Sequence, residues 1–278
     1  MSRKKVTIAE LQEKKQKKQK ITMLTAYDYP TARLLDQAGI DTVLVGDSGG
    51  MVALGYESTV PVTMEEMLFM SKAAARGIES AFLIADMPFM SYQVSDEKAV
   101  ENAGRFIKEA GCDAVKLEGG SEFASTVRAI VKAGIPVCAH IGLTPQTATM
   151  LSGFKVQGKD AEGARKLIQS AKDLEEAGAF MIVFECIPAS LAARITEELR
   201  IPTIGIGAGK DCDGQVLVYH DTVGLFERFT PKFAKQYANL TSMIREAVIQ
   251  YKTEVETGAF PGPEHVFTMK QEELDKLY

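Results

Sequence analysis

Five ionisable residues follow short apolar segments, and together they could bind a metal ion and transfer a proton. In chain order they are Asp47, Asp86, Glu118, His140 and Glu185. Each segment is rich in branched side chains, which is typical of a strand buried on both faces. Neither chance nor core packing explains five ionisable residues at five successive strand ends. The sequence therefore predicts a functional site at these ends.

The first three carboxylates have the ligand type that a hard divalent cation prefers. Asp47, Asp86 and Glu118 supply only oxygen atoms, and the sequence has no cysteine or histidine cluster beside them. Oxygen ligands point to Mg²⁺, which binds through few carboxylates and completes its shell with water and substrate. For any one of the three, the alternative is an acid that caps the following helix.

Strand alternation predicts which neighbours share a face with these acids. Alternate side chains lie on one face of a strand, so Val43 and Val45 are expected to point the same way as Asp47. By the same rule Lys116 lies one layer below Glu118. A buried lysine is costly unless carboxylates or an anionic ligand neutralise it, so we expect Lys116 to pair with one of these.

Glu185 is the candidate general base. It follows the apolar run at 180–184 (FMIVF), and apolar surroundings destabilise the charged form of a carboxylate, which favours its uptake of a proton. A buried glutamate that only pairs with a neighbour is the alternative. For His140, a catalytic role and a structural role are equally consistent with the sequence.

Two glycine-rich segments could form loops around the site. The segment 205–209 (GIGAG) is either a phosphate-binding turn after the seventh strand or a tight loop that lets a flat group approach the backbone. The segment 48–63 suits a mobile active-site loop. Thr63 and Glu66 have the spacing of a capping box that starts the next helix.

Eight strands alternating with helices would bring these residues together. Glycine follows alanine at four helix ends, which suits a left-handed residue after a helix. The predicted strands are 21–26, 42–47, 81–86, 112–118, 135–141, 179–185, 201–206 and 215–219. The predicted helices between them include 64–76, 96–110, 121–133, 160–177 and 190–199. Eight such units predict an α/β protein with a closed (β/α)₈ TIM barrel, in which active sites form at the carboxyl ends of the strands. An open doubly wound sheet is the alternative.

The two ends of the chain are expected to add helices to a single barrel domain spanning residues 1–278. Residues 1–20 predict an N-terminal helix with a capping box at Thr7 and Glu10. Its lysines form either a solvated face or an arm for nucleic acid. Residues 222–278 predict a helix at 231–252 and then a tail whose Phe260 and Phe267 pack on this barrel or on a neighbouring subunit.

Composition excludes several classes of protein. The chain has 278 residues, of which 46% are apolar and 25% charged, as in ordinary globular proteins. Its net charge of −5 argues against a nucleic-acid partner. It has no apolar run of the length that spans a bilayer, so we expect no membrane association. The four cysteines lack metal-ligand spacing, and together with the absence of a signal-peptide pattern they favour a cytoplasmic location.

The motifs around these residues resemble the ketopantoate hydroxymethyltransferase family. The matching stretches lie at 23–28 (MLTAYD), 45–48 (VGDS), 58–63 (STVPVT), 85–89 (ADMPF), 115–120 (VKLEGG), 140–146 (HIGLTPQ), 185–188 (ECIP) and 204–209 (IGIGAG). The chain departs from the family at Gly49, where a leucine is frequent, and at Tyr56, where a histidine can occur. Both departures leave the acids untouched.

The resemblance implies a reaction and a role for each residue. Family members are (β/α)₈ barrels that use Mg²⁺ and 5,10-methylenetetrahydrofolate to hydroxymethylate 3-methyl-2-oxobutanoate, and they assemble as homodecamers. Carried over, Asp47 and Asp86 hold the metal with Glu118 completing its shell. Ser48 and Lys116 contact the 2-oxo acid together with Asp47, Asp86 and His140, and Glu185 is the base.

Two other functions stay open at this point. One is another Mg²⁺-dependent lyase or mutase of the same barrel type, which commonly relies on a cysteine in a flexible loop. None of the four cysteines lies in the loop 48–63. The other is a barrel that binds a 2-oxo acid without catalysis.

Overall fold

Eight parallel strands form a closed barrel in the computed structural model, which describes residues 3–277. Each strand pairs with its neighbours in chain order, and β8 pairs with β1. The (β/α)₈ prediction is confirmed, and the open sheet is wrong. The strands are β1 (Ile21–Thr25), β2 (Thr42–Val45), β3 (Phe82–Asp86), β4 (Ala114–Glu118), β5 (Val137–Gly142), β6 (Met181–Glu185), β7 (Thr203–Ile206) and β8 (Gly214–Leu217).

Helices surround the barrel and extend it at both ends. They are α1 (Ile8–Gln16), α2 (Tyr29–Gln37), α3 (Gly49–Val52), α4 (Met64–Gly77), α5 (Asp96–Ala110), α6 (Ala124–Lys132), α7 (Ala161–Glu176), α8 (Ala189–Glu198), α9 (Tyr219–Thr222), α10 (Leu240–Thr257) and α11 (Gln271–Leu274). Both predicted capping boxes are present, at the start of α1 and of α4. None of the helices among residues 3–277 combines the length and apolarity needed to cross a membrane.

Successive side chains of each strand point to opposite faces, and they form two apolar cores, one inside the barrel and one between the barrel and the helices. Inward-facing residues of all eight strands, such as Ile84, Cys138 and Val183, fill the barrel with a packed cluster. Outward-facing residues pack against the helices. Leu11 of α1 is fully buried in the inner cluster, so α1 closes the amino-terminal end of the barrel. The barrel is therefore open only where the strands end.

The terminal helices differ from the predicted bounds. The N-terminal helix covers residues 8–16 of the predicted 1–20, and positions 1 and 2 lie outside the described residues. The predicted helix 231–252 is wrong at its start, because the chain up to 239 is irregular. The Asn239 side chain accepts a hydrogen bond from Ser242 N and begins α10, and Gly258 in the left-handed conformation follows its end.

Candidate active site

A cavity of about 790 Å³ opens at the carboxyl end of the barrel. All seven residues predicted for the site line it, namely Asp47, Ser48, Asp86, Lys116, Glu118, His140 and Glu185. Six of them form its base, and we call Asp47, Asp86, Lys116, Glu118, His140 and Glu185 the floor cluster. This geometry agrees with the prediction that the residues at the strand ends converge at one rim of the barrel.

Strand register places members of the floor cluster side by side. Asp86 is paired with Lys116 across β3 and β4, and Glu118 is paired with His140 across β4 and β5. Glu185 lies level with Gly142. A side chain at Gly142 would meet the Glu185 carbonyl oxygen at 2.2 Å, and its φ of +102° favours glycine. Gly142 thus permits the close approach of β5 and β6 that positions Glu185.

A row of polar contacts runs from Asp86 to Glu185. Lys116 Nζ lies 2.9 Å from Asp86 Oδ1 and 3.1 Å from His140 Nδ1. Because an ammonium group can only donate, His140 Nδ1 accepts, and the ring proton of the neutral tautomer is assigned to Nε2. That nitrogen lies 3.3 Å from Glu185 Oε2. His140 therefore connects the buried lysine to the candidate base.

Burial and neighbouring charges shift the pKa values of four groups in the floor cluster. Burial, with the neighbouring Asp86 charge, raises the pKa of Asp47 to about 7. Burial and then the Asp47 charge raise the pKa of Glu118 well above its usual range. Burial alone would lower the pKa of Lys116, but the carboxylates, Asp86 first, outweigh it and raise the pKa. Burial and the Lys116 charge lower the pKa of His140, which keeps the ring neutral.

The donor set of the floor cluster fits a hard divalent cation. The Asp47 backbone N–H donates to Asp86 Oδ2 at 3.1 Å, so the two aspartates adjoin at the cavity floor. Four carboxyl groups face one ammonium group, an imbalance that a dication would reduce. Within residues 3–277, no three His, Cys, Asp or Glu side chains form a group that could hold a metal ion. Mg²⁺ commonly binds through one or two carboxylates, with substrate and water as its other ligands.

Gln146 links two of these carboxylates and was given no role by sequence reasoning. It lies in a short turn after β5 and is buried. Its Nε2 donates to Asp47 Oδ2 at 2.9 Å, and its backbone N–H donates to Glu118 Oε2 at 3.1 Å. Tyr92 OH donates to Gln146 Oε1 at 2.8 Å, which fixes the orientation of the amide. The only sequence signal for it was its place in the stretch 140–146.

The loop after β2 holds Ser48 at the cavity wall. Ser48 Oγ lies 2.9 Å from Tyr27 OH, and Gly49 begins the short helix α3. A side chain on Gly49 would meet Tyr27 Cδ1 at 2.6 Å, so the departure from the family's leucine accompanies close packing of this tyrosine. Strand β2 ends at Val45, which packs outward, and the chain turns at Gly46. Val43 and Val45 share the outward face as expected, but Asp47 lines the cavity, so the expectation that it shares their face is wrong.

The loop 205–209 is approached by an aromatic side chain of the chain itself. Gly207 has a φ of +64°, and a side chain there would meet the Phe233 ring at 2.9 Å. Phe233 belongs to the irregular segment before α10, which also brings Phe226 and Phe229 to the cavity. This geometry favours the tight-loop interpretation of the glycines.

Cys186 is the one cysteine that the structure, over residues 3–277, places in the cavity lining. Burial raises the pKa of its thiol to about 11, with a further contribution from the Glu185 charge. Since the thiolate is the nucleophilic form, Cys186 is a poor nucleophile at neutral pH.

Solved structures with the same fold come from another group of enzymes. Phosphonopyruvate hydrolase, solved with oxalate and Mg²⁺, superposes with a TM-score of 0.60 at 14% identity and covers 97% of this chain and 94% of that one. A 2,3-dimethylmalate lyase of the PEP mutase/isocitrate lyase superfamily gives a TM-score of 0.57 at 14% identity, covering 97% of both chains. At this identity the likeness supports the fold alone.

Curated relatives are far more similar in sequence. The 3-methyl-2-oxobutanoate hydroxymethyltransferase of Syntrophomonas wolfei subsp. wolfei is 58% identical over 98% of this chain and 99% of its own length. The protein of that name from Carboxydothermus hydrogenoformans is 59% identical over the same shares, and that from Enterococcus faecalis is 55% identical. The family profile described as ketopantoate hydroxymethyltransferase matches residues 5–263. The chain belongs to the ketopantoate hydroxymethyltransferase family.

Proposed function

We propose that this enzyme transfers a hydroxymethyl group from 5,10-methylenetetrahydrofolate to 3-methyl-2-oxobutanoate with the help of Mg²⁺. The products are 2-dehydropantoate (ketopantoate) and tetrahydrofolate, which places the enzyme in pantothenate and coenzyme A biosynthesis. The observation that carries the proposal is the floor cluster, in which two adjoining aspartates and a histidine-supported glutamate meet at one cavity.

Asp47 and Asp86 are the residues that would hold the metal. The backbone N–H of Asp47 donates to the Asp86 carboxylate, and Gln146 Nε2 holds the Asp47 carboxylate in place. Glu118 accepts a hydrogen bond from the backbone N–H of Gln146, on the side away from Asp47. Since no three His, Cys, Asp or Glu side chains among residues 3–277 form a group that could hold a metal, Glu118 would complete the shell through a water molecule. When bound, Mg²⁺ supplies Lewis-acid stabilisation of negative charge that develops on the 2-oxo acid.

Lys116 and Ser48 would bind the anionic substrate. Lys116 is the cation of the floor cluster and its raised pKa keeps it charged. Ser48 Oγ, held by Tyr27 OH, presents a hydroxyl group at the cavity wall. Together they would orient the carboxylate and keto groups so that the C3 proton points at Glu185.

Glu185 would accept the C3 proton of the substrate. The electron pair of the broken C–H bond then forms the new C–C bond to the folate-borne carbon. Both bonds from that carbon to the folate nitrogens N5 and N10 break with their electrons on the folate, and a water molecule supplies the hydroxyl oxygen. The proton taken up by Glu185 and one proton of that water would end on the two nitrogens of tetrahydrofolate. His140 Nε2 lies 3.3 Å from Glu185 Oε2, and it would hold the Glu185 carboxylate toward the substrate, so His140 is a positioning residue in this proposal. In this proposal the histidine therefore has a positioning role, whereas the sequence left its role open.

A homo-oligomer, a decamer by resemblance, would cover the exposed C-terminal region. Helix α10 has no buried residue within the chain, although Ile244, Val248 and Tyr251 are large and apolar. Phe260 packs on Tyr251, but Phe267 is fully exposed. The cytoplasmic location predicted from the sequence stays a prediction.

A lyase or mutase of the same barrel type is the second candidate, and the observations favour it less. Its solved representatives are 14% identical to this chain, against 55–59% for the hydroxymethyltransferases. The cavity thiol, Cys186, has a pKa raised to about 11, which argues against the nucleophilic cysteine of those enzymes.

Formation of tetrahydrofolate from 3-methyl-2-oxobutanoate and 5,10-methylenetetrahydrofolate tests the proposal. We expect product with Mg²⁺ and a loss of rate in excess chelator that added Mg²⁺ restores. Activity that persists in chelator would overturn the metal assignment. Absence of product under all conditions, with turnover of a phosphonate or malate-type substrate, would favour the second candidate.

A further inference from the structure

The cavity has room for much more than a small acid. Its volume of about 790 Å³ lies within the range of ~300–1,000 Å³ that is typical of sites for drug-sized ligands. The 2-oxo acid belongs at the polar floor cluster, beside Lys116 and the aspartates. The space above the floor must therefore take the larger reactant.

The upper part of the cavity is lined by aromatic side chains. Phe226 and Phe229 pack edge to face with their ring centroids 5.7 Å apart. Phe154, from the loop after β5, also lines the cavity. Phe154 and Phe229 are 64% and 53% exposed, and large apolar groups exposed in a groove mark a ligand-binding surface. Aromatic walls suit a flat ring system.

Asp221 is a buried carboxylate in this cavity that the floor cluster does not use. It lies in α9, directly after β8, and is 5% exposed. No side chain or backbone group among residues 3–277 forms a hydrogen bond or ion pair with its carboxylate, and burial alone raises its pKa to about 6. At neutral pH it is still largely ionised. An ionised and unpaired carboxylate in a cavity is costly unless a ligand pairs with it.

Glu57 is the other acid at the cavity that lies outside the floor cluster. Its side chain is 94% exposed, and it lies 3.5 Å from Arg228. Solvent and Arg228 already satisfy this charge, so Glu57 has no need of a ligand. The contrast singles out Asp221 as the group poised to bind hydrogen-bond donors.

We propose that Asp221 binds the pyrimidine edge of the pterin ring of the folate co-substrate, while Phe226, Phe229 and Phe154 cover the ring. The inference rests on the proposed function and names the folate-binding part of that site. A 2-amino-4-oxopteridine presents two neighbouring N–H donors, the ring N3–H and the 2-amino group. A carboxylate accepts such a pair in parallel, as it does the forked donors of arginine. The one-carbon unit sits on the opposite side of the ring system, which directs it toward the floor.

Asp221→Asn tests the assignment, because asparagine keeps the shape and removes the charge. We expect the dissociation constant of tetrahydrofolate, measured by calorimetry, and the KM for 5,10-methylenetetrahydrofolate to rise about 10-fold or more. The KM for the 2-oxo acid should change several-fold less. Glu57→Gln, which neutralises an exposed acid at the same cavity, is the matched control and should leave folate binding within about twofold.

A folate analogue gives a readout that a structural role would not move. Tetrahydrofolate lacking the 2-amino group should bind the wild type about 10-fold more weakly than tetrahydrofolate, and this difference should shrink in Asp221→Asn. Folate binding equal to wild type, or an undiminished difference between the two folates, would overturn the assignment of Asp221. If the wild type bound no folate at all, the proposed function itself would fail instead.

Discussion

Replacing Lys116 by methionine tests whether the floor cluster is a balanced charge network that a cation completes. The substitution leaves an unbranched side chain one atom shorter and removes the ammonium group that faces the four carboxyl groups of the floor cluster. Lys116 is 4% exposed and lies 2.9 Å from Asp86. Removal of one partner from a buried ion pair costs about 3–5 kcal/mol, and we expect a loss of that size in the free energy of unfolding.

Mg²⁺ should restore part of the lost stability, because a dication at the two aspartates offsets the same excess of negative charge. Urea unfolding at pH 7.5, with chelator and with Mg²⁺, measures both effects. The control is Lys15→Met, which breaks the 2.7 Å ion pair to Asp213 just before β8, at the opposite end of the barrel, where the side chains are 12% and 14% exposed. It should lose stability without a larger response to Mg²⁺ than the wild type. A loss below about 1 kcal/mol for Lys116→Met, or equal Mg²⁺ responses in all three proteins, would refute the reasoning.

Two further predictions concern residues that support the site. Gln146→Leu removes the donors to Asp47 and Glu118, and the affinity for Mg²⁺ by calorimetry should fall about 10–100-fold; an unchanged affinity would contradict the supporting role. Asp221→Asn should raise the free energy of unfolding by up to about 3 kcal/mol at pH 7.5, at about 1.4 kcal/mol per pKa unit, because burial raises the pKa of Asp221 from 3.8 to about 6. The wild-type penalty is absent below the unfolded-state pKa of 3.8 and grows as the pH rises toward 6. The two proteins should therefore have nearly equal stability near pH 3, and a constant difference between pH 3 and 7.5 would contradict this prediction.

The residues at strand ends were predictable because one physical rule places them. A parallel strand buried on both faces has no packing use for an acid, so Asp86, Glu118 and Glu185 stand out against their apolar neighbours. Alternation likewise predicted Lys116 below Glu118, and the two lie on the inward face of β4. The rule failed for Asp47, since β2 ends at Val45 and the turn at Gly46 resets the direction of the chain.

Contacts between segments that are distant in the chain could not be predicted from the sequence. Gln146 and Tyr92 are polar residues in loops, and only the closed barrel shows that they join Asp47 to Glu118. Asp221 lies just after the last strand, and its importance depends on burial rather than on a motif. The start of α10 was misjudged because the aromatic residues before it pack at the cavity, which overrides local helix propensity.

Exchange of the C3 proton of 3-methyl-2-oxobutanoate with solvent deuterium, in the absence of folate, tests the central claim most directly. It isolates the step assigned to Glu185 and the metal-binding aspartates from the chemistry of the co-substrate. In the presence of Mg²⁺ the wild type should exchange the C3 proton for deuterium, and excess chelator should abolish this exchange. Glu185→Gln should still bind the acid but show no exchange when Mg²⁺ is present. Exchange at the wild-type rate in Glu185→Gln, or exchange by the wild type that ignores the chelator, would contradict the account.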